Sequence, residues 1–218
     1  MVLLVASPLS LTAGCTTAVV GFESLNEGNL RRMKKHWNVR GGPYAEKLRI
    51  LREAGIMIYG TFVFGYEGDT PDSFDRAVDF ALEHNFYLAN FNPLTPTPGA
   101  ALYDRLQAEG RLLHDRWWLD PTYHYGDATF EPRGMTAEQL TEGCYAARAR
   151  FNRWSSIGRR LMDPQANLRS PYRAALYIAS NVISRREVHR KQGTQLGAPE
   201  GSPAPTRGRA QPEALLPA

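Results

Sequence analysis

Three apolar runs in the first hundred residues predict three short, buried β-strands. They cover residues 18–22, 56–64 and 87–91. Between them lie a short, charged helical stretch at 27–36 and two segments with apolar residues at helical spacing, at 44–54 and from Pro71 to about His84. Thr70 is expected to cap the last of these helices. Strands that alternate with helices through short connections predict an α/β fold with parallel strands and right-handed crossovers.

The pattern changes after residue 100, where helices and loops replace the strands. Helices are predicted at 101–108, from Met135 to about Trp154, and at 171–189. An aromatic cluster at 117–125 is expected to form a packed lid or part of the core. Residues from 193 onward are rich in Gly, Pro and Ala and predict a disordered tail. We therefore divide the chain into an α/β unit at 1–99, a mainly helical region at 100–192 and a tail at 193–218.

Residues 11–15, Leu-Thr-Ala-Gly-Cys, allow two interpretations of the amino-terminal segment. One is a lipoprotein cleavage site at which Cys15 is lipidated. A secretory signal starts with positive charge and continues as an unbroken apolar stretch, whereas here the first basic residue is Arg31 and Pro8 interrupts the run. We therefore expect a helix end, a turn at Gly14 and then the first strand, with Cys15 as a small buried residue beside it.

Composition narrows the class of protein. The chain has 218 residues, a net charge of +4 and two cysteines, and no apolar run reaches the roughly 20 residues that span a bilayer. These features fit a cytoplasmic globular protein. Basic residues concentrate at 148–160 and 185–191. An alternative function is therefore a non-catalytic basic helical module that binds anionic lipid or nucleic acid, with nucleic acid the less expected partner. Charge runs of this kind are commonly just a solvated surface.

Candidate binding residues follow each predicted strand, because ligand sites in parallel α/β folds lie at the carboxyl ends of the strands. Glu23 and Ser24 follow the first strand, the turn at 64–70 follows the second, and the proline-rich loop at 90–99 follows the third. A carboxylate and a hydroxyl hold ribose hydroxyls, a glycine-rich turn lets backbone approach a ligand, and a proline-locked loop offers fixed backbone groups. The same residues would also serve as ordinary turns and helix caps.

Several of these segments together resemble one enzyme family. They are Gly21-Phe22-Glu23-Ser24-Leu25-Asn26, Ala54-Gly55-Ile56, the stretch 62–70 and Leu94-Thr95-Pro96-Thr97-Pro98-Gly99. In order and spacing they resemble the latter half of the barrel of radical S-adenosylmethionine (SAM) enzymes, in the class that carries an N-terminal cobalamin-binding domain. Residues 109–111, Trp117-Trp118 and 135–140 resemble the extra C-terminal region of a branch that includes proteins of hopanoid methylation.

The resemblance implies a fold, a site and a reaction. The fold is a partial (β/α) radical SAM barrel, about its last three strands, followed by a mainly helical region. The implied SAM-binding residues are Glu23 and Ser24 after the first strand, Gly65, Gly68 and Asp69 after the second, and Asn92, Thr95 and Pro96 after the third. A complete enzyme would cleave SAM reductively for radical chemistry such as methyl transfer to an unactivated carbon, with cobalamin as a second cofactor that the resemblance allows. The implied substrate is small or lipid-like, which is compatible with peripheral membrane contact.

The sequence departs from that family at the metal centre. Family members bind a [4Fe-4S] cluster through a Cys-x3-Cys-x2-Cys loop, which this sequence lacks, and Cys15 and Cys144 match none of its positions. No histidine has metal-ligand spacing, so we assign no metal ligand and no catalytic residue. We expect a fragment or subunit whose missing N-terminal half, or a complementary chain, carries the cluster. Alone it should be marginally stable, because apolar strand surface is left uncovered.

Overall fold

The computed structural model describes residues 14–33 and 44–195. It contains three parallel strands with helices packed against them. The strands are β1 (Thr17–Glu23), β2 (Met57–Phe64) and β3 (Leu88–Pro93). The helices are α1 (Glu27–Arg32), α2 (Tyr44–Glu53), α3 (Asp72–Glu83), α4 (Ala101–Ala108), α5 (Ala137–Phe151), α6 (Trp154–Leu161) and α7 (Pro171–Lys191), with a 3₁₀ turn at Trp117–Leu119. The order β1-β2-β3, with both pairs parallel, confirms the predicted α/β class.

The sheet register brings the carboxyl ends of the three strands to one edge. Thr61 of β2 lies opposite Gly21 of β1 on one side and opposite Asn90 of β3 on the other. The pairing of β1 with β2 shifts between Gly21 and Glu23, which makes Phe22 the extra residue of a bulge. A bulge bends its strand and re-aims the side chains that follow it, so the direction of Glu23 is set here.

Aromatic rings on one face of the sheet join it to the helices. The rings of Phe22, Phe62 and Phe91 stack across the three strands, with centroids 5.3 Å apart in both neighbouring pairs. Gly60 has no room for a side chain, because a Cβ there would overlap the ring of Phe86. Helices α2 and α3 close this layer with the buried side chains Leu48, Leu51, Phe74 and Val78. Burial of each ring contributes about 1.5–3 kcal/mol, so this layer is a main source of stability.

The C-terminal helices pack directly on the sheet. Helix α5 extends the helical layer beyond β3, and its Phe151 ring lies 5.7 Å from the ring of Phe91. Helices α6 and α7 form a second, smaller core at the amino ends of β2 and β3, built from Met57, Tyr87, Ile157, Ala166 and Tyr177. The fully buried Arg160 joins this second core to α5, with its guanidinium 3.8 Å from the centroid of the Phe151 ring.

The long helix predicted to begin near Met135 is broken in two. The pattern predicts a helix to about Trp154, whereas α5 ends at Phe151 and α6 begins at Trp154. Asn152 ends α5, because its backbone N–H and its side-chain amide both donate to the carbonyl of Arg148. The start of α5 follows its predicted pattern, with Thr136 as the capping residue.

Two local predictions are wrong. Thr70 does not cap α3, because Pro71 already has helical backbone angles and the Thr70 N–H instead donates to the hydroxyl of Ser73. Cys15, expected to be buried, is partly exposed, because it precedes the point at which β1 enters the sheet. Its thiol donates to the carbonyl of Thr17 at 3.5 Å.

Several predictions fall outside the residues that the structure describes. They are the helix end before Gly14, the end of the first predicted helix at 34–36 and most of the predicted tail, 196–218. The first residues of that tail are described and contact the aromatic region. The Gly193 N–H donates to the carbonyl of Tyr125, and the Tyr125 N–H donates to the carbonyl of Thr194. The chain after α7 is therefore tied to the aromatic cluster.

Candidate binding site at the carboxyl ends of the strands

The sheet face opposite the helices carries small and polar side chains. Because side chains alternate between the faces of a strand, Gly21, Thr61 and Asn90 share this face, which we call the open face. They are half-buried, whereas Val19 on the same face is 60% exposed. Burial raises the pKa of the Tyr59 phenol, and a hydrogen bond with the Asn90 side chain opposes that rise. The open face thus offers hydroxyl and amide groups that are partly shielded from solvent.

A hydrogen-bond network joins the end of β1 to the turn after β2. Asn29 of α1 is at its centre, and its Nδ2 donates to Ser24 Oγ at 3.2 Å and to Asp69 Oδ1 at 2.8 Å. Its Oδ1 accepts from the Gly68 N–H at 3.0 Å. Asn26 Nδ2 donates to the Gly68 carbonyl at 2.9 Å. We call these five residues the carboxyl-end clamp, because they hold two strand ends together.

Asp69 uses both of its carboxylate oxygens inside the protein. While Oδ1 belongs to the clamp, Oδ2 accepts the N–H groups of Gly65 and Tyr66, each at 3.0 Å. Burial raises the pKa of Asp69, and these backbone hydrogen bonds partly offset the rise. Gly65 has φ 108°, a conformation that glycine adopts without strain. The Asp69 side chain therefore fixes the turn at 65–69 rather than standing free for a ligand.

Glu23 lies next to the clamp in an unusual backbone conformation. Its φ of 62° falls in the left-handed region, where residues other than glycine are uncommon and often functional. A Cβ added at Gly21 would lie 2.9 Å from Glu23 Oε1 and 3.7 Å from Thr61 Oγ1. The carboxylate therefore lies over the open face. Burial, and then the charge of Glu23, raise the pKa of Tyr66 to about 12, so the neighbouring phenol stays protonated.

The loop after β3 is fixed against the aromatic cluster. The Trp117 Nε1–H donates to the carbonyl of Pro96 at 3.1 Å, so one backbone group of the proline-rich loop at 90–99 is already paired. Thr95 is exposed, and its hydroxyl donates to the carbonyl two residues earlier at 3.3 Å. Asn92 is half-buried at the end of β3 and shares the open face with Asn90. Of these loop residues, Asn92 is the one directed toward the open face.

The predicted residues thus fall into three groups. Ser24, Gly65, Gly68 and Asp69 meet in or beside the clamp, Glu23 and Asn92 border the open face, and Thr95 and Pro96 lie in the loop under Trp117. Sequence reasoning included Asn90 only as part of the loop at 90–99, and it missed Asn26, Asn29, Tyr59 and Thr61 as site residues. Asn26 could have been found as the residue before α1, since asparagine is a preferred helix cap and its Oδ1 accepts the Gly28 N–H at 2.8 Å. Strand alternation alone points to Thr61 and Asn90.

The two cysteines are unsuited to an iron–sulfur cluster, whose ligands are thiolates. Cys144 is fully buried in the main core, and burial raises the pKa of its thiol to about 12. Cys15 precedes β1, at the opposite end of the sheet from the clamp. Across residues 14–33 and 44–195, no three His, Cys, Asp or Glu side chains are grouped to hold a metal ion. A cluster therefore does not fit the residues of this part of the chain.

Sequence comparison relates the chain to curated enzymes. It is 32% identical over 155 residues to bacteriochlorophyllide d C-12(1)-methyltransferase of Chlorobaculum tepidum, covering 71% of this chain and 33% of that protein. It is 33% identical over 99 residues to hopanoid C-2 methylase of Rhodopseudomonas palustris, covering 45% of this chain and 19% of the methylase. It is 24% identical over 106 residues to anaerobic magnesium-protoporphyrin IX monomethyl ester cyclase of Cereibacter sphaeroides, covering 49% of this chain and 16% of the cyclase.

The matched relatives are much longer than the matched segments. The aligned part spans a third or less of each of these three proteins, at 33%, 19% and 16% of their lengths. No family model matches the chain. The similarity therefore links this chain to one part of methyltransferases and related enzymes.

Proposed function

We propose that this chain is the later part of a radical SAM methyltransferase and that its open face binds the adenosine portion of SAM. The observation that carries the proposal is Glu23, whose strained backbone and neighbouring bulge direct a carboxylate over the open face. Similarity to a methyltransferase over 71% of the chain supports the reaction class. Three parallel strands in β/α order support a barrel segment as the fold.

Different residues of the open face would contact different parts of the nucleoside. The Glu23 carboxylate accepts hydrogen bonds from the ribose hydroxyls, which are charge-assisted and therefore strong. Thr61 and Asn92, on neighbouring strands of the open face, offer a hydroxyl and an amide to the rest of the nucleoside. The clamp keeps the turn at 65–69 in place, so that its backbone borders the ligand. When bound in a complete enzyme, SAM supplies the radical and methyl chemistry.

We further propose that a complementary barrel segment covers the open face and the edge of β1 that faces away from β2. Val19, 60% exposed on that face, is the side chain that such a segment would bury. Because Cys15 and Cys144 do not suit a cluster, the complementary segment would also carry the [4Fe-4S] ligands. The substrate would be small or lipid-like, and cobalamin would be a second cofactor of the complete enzyme.

Equilibrium dialysis with SAM and with 5′-deoxyadenosine tests the proposed site. If this chain binds only the adenosine portion, the two ligands should bind with similar affinity. Glu23→Gln keeps the shape but removes the charge, and it should weaken both about ten-fold, equal to about 1.4 kcal/mol. Glu46→Gln makes the same change on the exposed surface of α2 and serves as the matched control.

Three results would count against the proposed site. One is saturable binding that Glu23→Gln leaves at the wild-type affinity, since the ligand would then lie elsewhere. Another is the absence of binding by wild-type chain whose circular dichroism spectrum reports a folded protein. Equal weakening by Glu46→Gln would also count against the site, because it would show a general charge effect.

A further inference from the structure

The outer side of α7 carries a stripe of apolar residues that ends in basic ones. The stripe recurs at intervals of three or four residues, and all of its members are exposed: Tyr172, Ala175, Ala179, Ile183, Arg186 and Arg190. Tyr172 is 69% exposed and Ile183 is 59% exposed. On the opposite side of the helix, Tyr177 and Asn181 are fully buried. The stripe therefore faces away from the protein, and we call it the outer stripe.

Helix α6 runs antiparallel to α7 and packs with it in one layer, on the side of α7 opposite the outer stripe. The Tyr177 hydroxyl donates to the carbonyl of Ile157, and the Arg185 guanidinium lies 5.2 Å from the centroid of the Trp154 ring. Trp154 is 59% exposed, and Met162 just after α6 is 67% exposed. Soluble monomers rarely expose contiguous apolar patches, and the apolar groups of the outer stripe are the ones that share a single exposed face of one helix.

This layer is also strongly basic. Residues 153–191 hold nine Arg and Lys and two Asp and Glu, a formal charge of +7, whereas the whole chain has +4. One of the two acids, Asp163, is buried and paired with Arg52, and one of the nine bases, Arg160, is buried as well. The other, Glu187, pairs with Arg190 and Lys191 on its own helix. The exposed potential is therefore positive beside the apolar groups.

We propose that α6 and α7 dock this protein on the surface of an anionic lipid bilayer. Exposed Trp, Tyr and Ile side chains enter the interface, and the arginines contact lipid phosphates. The helices lie on the bilayer, since no helix in the described ranges is long and apolar enough to cross one. A nucleic acid would pair with the arginines but would leave the apolar side chains of Ile183 and Met162 exposed to water. A bilayer binds the arginines through its phosphates and buries the apolar side chains as well. This docking does not depend on SAM binding.

Vesicle co-sedimentation of the full chain tests the docking surface. Wild-type protein should pellet with vesicles of phosphatidylglycerol and phosphatidylcholine, and not with vesicles of phosphatidylcholine alone. Arg186→Ala should weaken binding about five-fold and Ile183→Asp about ten-fold. The matched controls are Arg49→Ala on α2 and Leu113→Asp in the loop after α4, both exposed and outside this layer, and they should bind as wild type does.

Each remaining outcome would overturn the proposal. Failure to pellet with anionic vesicles at low salt excludes bilayer docking. Equal loss in Arg49→Ala and Arg186→Ala shows a general charge effect. Binding to a duplex oligonucleotide without binding to vesicles assigns the surface to nucleic acid. A dimer in sedimentation equilibrium that Ile183→Asp dissociates, without vesicle binding, assigns the surface to a second copy of the chain.

Discussion

Replacing Arg160 with methionine tests how the C-terminal helices are held to the sheet. The guanidinium is fully buried and donates to five neutral oxygens. These are the carbonyls of Phe86, Tyr87 and Phe151, Asn181 Oδ1 and Ser156 Oγ, at 2.8 to 3.2 Å. One side chain therefore links α5, α6 and α7 to the start of β3. Burial lowers the pKa of Arg160 to about 10, which reflects the free-energy cost of removing the charged guanidinium from water.

The expected loss of stability depends on which of the five oxygens keep a hydrogen-bond donor in the variant. In Arg160→Met, the Phe151 carbonyl retains the Ser156 hydroxyl and the Tyr87 carbonyl retains the Asn181 amide. The Phe86 carbonyl and Asn181 Oδ1 lose the donor that Arg160 provides, at about 1–3 kcal/mol each. Methionine has a similar length, so little cavity forms, and the cost of burying a charge disappears. We expect a net loss of about 2–4 kcal/mol in the free energy of unfolding.

Urea denaturation followed by tryptophan fluorescence measures this loss. With a slope of about 2 kcal/mol per molar urea, the midpoint of Arg160→Met should fall by about 1–2 M. Arg159→Met alters the neighbouring exposed arginine and should stay within about 0.5 kcal/mol of wild type. Equal midpoints for Arg160→Met and wild type would refute the reasoning, because the hydrogen bonds would then only balance the desolvation cost.

Three further outcomes are expected. Both carboxylate oxygens of Asp69 face N–H donors, so the NH2 group of Asp69→Asn meets a donor in either orientation and should cost about 2–4 kcal/mol in urea denaturation; a midpoint equal to that of wild type would contradict this. Gly60→Ala presses a methyl group into the Phe86 ring and should lower stability by about 1–3 kcal/mol, and an unchanged midpoint would contradict that packing. Burial raises the pKa of Tyr66 to about 12, above about 10 in the unfolded chain. The stability of wild type relative to Tyr66→Phe should therefore be constant below pH about 10 and fall as the pH rises toward 12, as urea midpoints at several pH values would measure.

The strands and helices could be predicted because apolar spacing determines them locally. β2 was expected at 56–64 and runs from Met57 to Phe64, and α7 was expected at 171–189 and runs from Pro171 to Lys191. β3 was expected to end at Phe91 and continues to Pro93, because pairing with β2 extends the strand beyond its apolar core. Boundaries set by partners in space are not encoded in the spacing of one segment.

The candidate site was harder to predict because its key contacts are distant in sequence. Asn29 and Asp69 are 40 residues apart, and nothing in either segment reveals their hydrogen bond. The resemblance implies that Asp69 binds SAM, whereas in the structure its carboxylate holds the turn at 65–69. Glu23 gains its direction from a bulge that depends on pairing with β2. The sequence pattern located the strand ends, whereas the hydrogen bonds that hold them together could be found only in the structure.

Hydrogen–deuterium exchange with and without SAM is the most direct test of the claim that the open face binds the nucleoside. The amides of residues 23–26 and 65–69 should exchange more slowly when SAM is present, and those of α6 and α7 should not change. Slower exchange confined to the C-terminal helices, or unchanged exchange at both strand ends under saturating SAM, would contradict the account.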